Sequence, residues 1–207
     1  INGKSFVEAA QWLVKNTTDP IKKALSQRVL SALSNVPGTV KFDTEFDETG
    51  PGNYNATKKE LTLSPRMMGN DTLLQDTLLH ELTHAATVAG LYIDPALNRQ
   101  IYGVMQRAKT WLKTDAGKEY IKQNPDTQTN GEVYGLTDVY EFTAETFSSP
   151  EFQKLLKAIP AEKQSLFSRF VQFVGKLFGH FSSSFPVHGP CRETVDREQI
   201  ECEPNLH

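Results

Sequence analysis

Thr77-Leu78-Leu79-His80-Glu81-Leu82-Thr83-His84-Ala85-Ala86 decides how the rest of the chain is read. It contains His-Glu-x-x-His. Two histidines four positions apart lie on one helical face, about one turn from each other, so both imidazoles can converge on a single metal ion. Glu81 projects beside them. Zinc with an open coordination position lowers the pKa of its water to roughly 7, and a carboxylate within reach takes the proton. The spacing therefore points to metal-assisted hydrolysis. With 5 His in the chain, chance yields the pattern about 0.007 times, so coincidence is a poor account. The plainer alternative is a surface helix carrying two unrelated histidines. Against it, Leu73, Leu74, Leu78, Leu79, Leu82, Ala85, Ala86, Val88 and Ala89 make nearly every face apolar. That is the pattern of a buried helix, and buried His and Glu side chains need partners.

Working outward, Asn70-Asp71 predicts the start of this helix and Gly90 its stop, giving a span of 71–89. Upstream, residues 39–46 alternate Val40, Phe42, Thr44 and Phe46 with polar neighbours, a half-buried strand. Residues 48–55, rich in Gly, Pro and Asn, read as a turn or loop. Residues 60–64 form a short second strand closed by Pro65. Together these predict a small antiparallel sheet just before the metal helix, either a plain supporting hairpin or an edge that binds an extended peptide. Residues 1–38 read as helical cover. Ser5 with Glu8 predicts a capping box, and Asp19-Pro20 opens a second helix that Pro37-Gly38 ends.

Downstream, Asp94-Pro95 caps a helix over 96–113, and 114–123 continues as a shorter one. Residues 124–132 are a polar loop, ordinary surface or flap. Then comes Tyr134-Gly135-Leu136-Thr137-Asp138-Val139-Tyr140-Glu141-Phe142-Thr143-Ala144-Glu145-Thr146-Phe147. Asp138 reads as an N-cap, with Glu141 and Glu145 on one helical face opposite Phe142 and Phe147. Glu141 is either the capping-box partner of Asp138 or a third metal ligand. Ser149-Pro150 opens a further helix, Pro160 breaks it, and an amphipathic helix follows over 161–178.

Length and charge bound the rest. The 207 residues suffice for one sizeable core, expected as a single domain over 1–178. A net charge of −3 gives no basic stripe, so nucleic acid is not an expected partner. No apolar run approaches the roughly 20 residues of a membrane span. The chain begins at Ile1, as a fragment or a processed product does. From Gly179 the composition turns to Ser, Pro, Gly and charge, and residues 179–207 read as an extended tail. Cys191 and Cys202 lie there and could form one disulfide. His180, His188 and His207 complete no recognisable metal spacing with them.

The third ligand separates the families that share His-Glu-x-x-His. A third histidine would fall at position 90, which is Gly90, and no Asn-Glu-x-x-x-Asp helix is present. Glu141, with Glu145 one turn on and Tyr134 seven residues before, remains. Here the chain resembles the catalytic domain of anthrax lethal factor and the related Pro-Pro endopeptidases, in which a Tyr-Gly precedes the ligand Glu of a Glu-Phe-x-Ala-Glu segment by seven residues. The likeness covers roughly residues 55–178. It implies a zincin-like metallopeptidase domain, α+β and mostly helical, with one zinc held by His80, His84 and Glu141. It further implies Glu81 as general base, Tyr134 as oxyanion donor and Glu145 as a carboxylate supporting the ligands from behind. The expected substrate is a protein or peptide, the context that of a secreted or delivered, toxin-like effector or a piece of a larger bacterial or phage protein. Two further readings stay open: a zinc hydrolase of a non-peptide bond, and a non-catalytic zinc-stabilised binding module.

Overall fold

Ser5 starts the chain's first helix by exchanging two hydrogen bonds with Glu8: its Oγ accepts the Glu8 N–H at 3.2 Å, and the Glu8 carboxylate accepts the Ser5 N–H at 2.9 Å. The computed structural model describes residues 1–44, 50–129, 131–160 and 166–177. Helix α1 (Phe6–Asn16) buries Phe6, Ala9, Ala10 and Leu13 along one stripe. Helix α2 (Pro20–Ala32) is capped by Asp19. It ends earlier than Pro37-Gly38, giving way to a 3-10 turn at Leu33–Asn35. Both helices pack on α3 (Asp71–Ile93), the metal helix. Lys22 pairs with Asp76, and Thr17 Oγ1 donates to Gln75 at 3.1 Å.

The sheet differs from expectation in two ways. Strands β1 (Thr39–Phe42), β2 (Gly52–Asn55) and β3 (Glu60–Leu63) stand in the order β1-β3-β2. β1 runs parallel to β3, with Val40 opposite Leu61, and β2 runs antiparallel to it, with Tyr54 opposite Leu61. The sheet is thus mixed, and half of the stretch expected as a loop over 48–55 is a strand. Gly52-Asn53-Tyr54-Asn55 carries only one large apolar residue, so no hydrophobic alternation marks it. Its order comes from the backbone ladder and from a tight turn into β3, where Asn55 Oδ1 accepts the Lys58 N–H and Lys59 sits at φ 53°. β1 stops at Phe42, short of 46; residues 45–49 lie outside the described residues.

α3 also runs further than Gly90. That glycine stays helical, and the helix stops where Pro95 forces Asp94 out of the α region, at φ −109°, ψ 86°. Asp94 then caps α4 (Pro95–Leu112), accepting from Ala96 and Leu97 N–H. α5 (Asp115–Gln123) follows under a Thr114 cap, and then α6 (Val139–Ser148), α7 (Pro150–Ala158) and α8 (Leu166–Leu177). The predicted start of the last helix at 161 and the tail over 179–207, with Cys191 and Cys202, fall outside the described residues.

The result is α+β and mostly helical. α3 lies at its centre, against the sheet, α1, α4 and above all α6. Phe142 on α6 meets Phe152 and Phe170 edge-to-face at 5.5 and 5.6 Å, and Phe147 meets Phe170 at 6.0 Å. Buried hydroxyls in both helices stay satisfied on their own backbone: Thr83, Thr87, Thr143 and Thr146 each donate to the carbonyl four residues back. The apolar side of α6 is thereby locked, and its other side is turned to α3.

Candidate metal centre

His80 and His84 sit one turn apart on α3, where their Nε2 atoms face each other at 3.1 Å. Glu141 on α6 closes the triangle, with Oε2 3.1 Å from His80 Nε2 and Oε1 3.4 Å from His84 Nε2. The three donor groups lie within 4.8 Å of one another. Two ring nitrogens and a carboxylate at these distances either share protons or converge on a cation. Tetrahedral zinc with bonds of about 2.0–2.1 Å places its ligand atoms about 3.3–3.4 Å apart. The observed separations are close to those edges, so the donor set fits a metal ion.

The charges tell the same story. Burial pulls the His80 imidazolium down, but the Glu141 and Glu145 hydrogen bonds and the Glu81 charge override it and push its pKa up to about 10. Burial likewise pushes Glu141 up, and bonds to His80 and His84 outweigh it, holding the carboxyl well below the usual range.

The expected alternative for Glu141, a capping box, does not form. Asp138 alone accepts the Tyr140 and Glu141 N–H groups at 2.7 and 3.0 Å, and the Glu141 carboxylate is spent on the histidines. Glu145, one turn on, places Oε1 3.2 Å from His80 Nδ1. Ser148, which sequence reasoning missed, puts Oγ at 3.2 Å from the same nitrogen. Its signal was present, since 141, 145 and 148 share one helical face.

Glu81 lies beside the triad, 6% exposed, and burial raises its pKa against the pull of His80 and His84. The backbone N–H of Tyr54 on β2 lies close enough to offset part of that rise. The strand comes this close because residue 52 is glycine: a Cβ there would stand 2.8 Å from Thr77 Cγ2 and 3.0 Å from Glu81 Cγ. Nothing in the sequence pattern announced that contact.

Tyr134 opens a 3-10 turn, Tyr134–Leu136, that Thr137 fastens by donating through N–H and Oγ1 to the Tyr134 carbonyl at 3.0 and 2.7 Å. Gly135 presses against α6 and α7, where a Cβ would meet Glu145 Cβ and Phe152 Cζ, each at 2.8 Å. The Tyr134 ring lies 6.2 Å from that of His80. Burial first, then the charge and hydrogen bonding of nearby Glu141, raise the phenol's pKa. All six residues singled out from the sequence thus gather at one place.

A cleft of about 540 Å³ opens beside them, between β2, the His80 face of α3, the Tyr134 turn and the start of α7. A recess of about 410 Å³ lies on the His84 side, and Gly52, Glu81 and Tyr134 border both. Among the described residues no helix is long and apolar enough to cross a membrane. Compared with known proteins, the chain matches no family model, no curated protein and no solved structure.

Proposed function

We propose that the chain is a zinc-dependent endopeptidase with a zincin-like fold, akin in its site to the anthrax lethal factor catalytic domain and the Pro-Pro endopeptidases. One observation carries the reading: His80, His84 and Glu141 converge within 4.8 Å beside a buried carboxylate, Glu81, on the wall of an open cleft. Two imidazoles and one carboxylate are a ligand set of catalytic zinc sites, which keep a position open. One zinc bound there would polarise a carbonyl and lower the pKa of a water to about 7.

Glu81 takes the proton of the attacking water and delivers it to the leaving amine. Its raised pKa suits a group that serves first as base and then as acid. Tyr134, whose phenol lies near Glu141, turns its hydroxyl to the oxygen on which negative charge develops. Glu145 holds His80 from behind. The substrate runs along β2. Pro51 C=O accepts the Ser64 N–H, so backbone alternation turns Gly52 and Tyr54 to the open edge. An extended peptide added to that edge passes Glu81 and fills the cleft with its side chains.

The test is a peptide-library digest with the zinc-loaded protein and its Glu81→Gln variant. The parent should cut peptide bonds, and the variant should be slower by about 10²–10⁴ with its zinc intact. Cleavage at the parental rate by Glu81→Gln removes the base assignment. A parent that holds zinc yet cuts no peptide favours the binding-module or non-peptide readings.

A further inference from the structure

We propose that Ser148 is a positioning residue of the metal centre: it holds the His80 ring with Nδ1 protonated, so that Nε2 keeps its lone pair for the metal. The inference rests on the metal-binding reading above.

Ser148 is the last residue of α6 and is 6% exposed. Its hydroxyl donates to the Ala144 carbonyl at 2.9 Å. A hydroxyl has one proton to give. With that proton on Ala144, the 3.2 Å contact with His80 Nδ1 makes the ring N–H the donor and Oγ the acceptor. Glu145 Oε1, also 3.2 Å from Nδ1, is an acceptor whenever ionised. Two oxygens therefore face this nitrogen, and an Nδ1 lone pair there would oppose both. Across the ring, Nε2 faces His84 Nε2 and Glu141 Oε2 at 3.1 Å each. The tautomer selected on one side is the one that can ligate on the other.

Ser148 adds what Glu145 alone does not. The Glu145 side chain is 21% exposed and longer, whereas the Ser148 oxygen is one bond from Cβ and tied to its own helix. The end of α6, where a helix ordinarily frays, is pinned: Ser149 N–H donates to Glu145 C=O at 2.9 Å, and Gln153 Nε2 donates to Thr146 C=O at 3.0 Å. The ring is thus referenced to a fixed backbone.

The experiment measures zinc affinity by chelator competition for the parent and Ser148→Ala, alongside nitrogen NMR of the His80 ring in the zinc-loaded parent. Ser148→Ala should bind zinc about tenfold more weakly while melting like the parent, since alanine suits a helix. In the parent, Nδ1 should carry a proton that exchanges slowly with solvent. Equal zinc affinities overturn the proposal. So does an Nδ1 without a proton, which is read on the unsubstituted chain and needs no variant to fold. A parent that binds no zinc is a different failure: it removes the metal-centre reading, and the role of Ser148 with it.

Discussion

Ser5 and Asp138 each cap a helix, and each is followed three residues on by a glutamate. In α1 the glutamate turns back: Glu8 accepts the Ser5 N–H and hydroxyl, both at 2.9 Å, and closes the box. In α6 it turns away, and Glu141 bonds two histidines on another helix. The cap residue explains part of the difference. Neutral serine offers a hydroxyl to the returning carboxylate, whereas anionic Asp138 repels one and already serves two N–H groups by itself. Surroundings explain the rest. The Glu8 side chain is 48% exposed and bonds Lys4 and its own cap, while Glu141 is 19% exposed and meets His80 and His84. One signature therefore closes a cap in the first helix and ties the sixth to another helix.

Substitution at the two glutamates should pull that contrast apart. Glu141→Ala should leave helix α6 formed under its Asp138 cap, yet weaken zinc binding beyond the about 10–100-fold typical of residues behind the ligands. Metal analysis with circular dichroism reads both, and undiminished zinc in a folded variant would mean Glu141 is no ligand.

Next in size is Tyr134, whose hydroxyl reaches Glu141. Tyr134→Phe should lower kcat by about 10²–10³, roughly 3–4 kcal/mol, and change KM far less, because such a donor acts mainly in the transition state. Tyr140→Phe, one residue from Glu141 on the same helix, is the control and should be near neutral. A fall at 140 with none at 134 would reverse the assignment.

The smallest effect belongs to Glu8. Glu8→Ala should lower the melting temperature by roughly 1–4 °C and leave zinc and activity untouched. The Ser5 N–H first, then Lys4 and the Ser5 hydroxyl, hold the Glu8 carboxyl at about 2, against an ordinary 4.5. A depressed carboxyl stabilises the fold only while ionised. The melting gap between parent and variant should therefore be constant above about pH 5 and close as pH falls from 4.5 toward 2. A gap that persists at pH 2 would show that something other than the ionised box is lost.

Local signals were the legible ones. Ser5, Asp19, Asn70, Asp94, Asp138 and Ser149 all cap helices where their neighbours predicted, because a cap is decided within four residues. His80, Glu81 and His84 were legible for the same reason. β2 was not, since its alternating burial falls on Gly52 and Tyr54, and one large apolar residue makes no pattern. The parallel pairing of β1 with β3 was not either, for register between distant segments is settled by packing that no single stretch records. Gly90 misled because a glycine marks a helix end only when it turns left-handed, and Asp94-Pro95 did the stopping instead. Ser148 went unread because its role depends on a ring sixty-eight positions away.

Gly52 and Gly135 stand on opposite walls of the cleft, and neither needs a left-handed backbone. Each is crowded instead, against Glu81 on one wall and against Glu145 and Phe152 on the other. In a map of substitution tolerance both positions would come back blank, and a reader of the map would take them for participants in the reaction. What each contributes is the room a side chain would take. The spacing of the walls is written into this chain as two methyl groups left out.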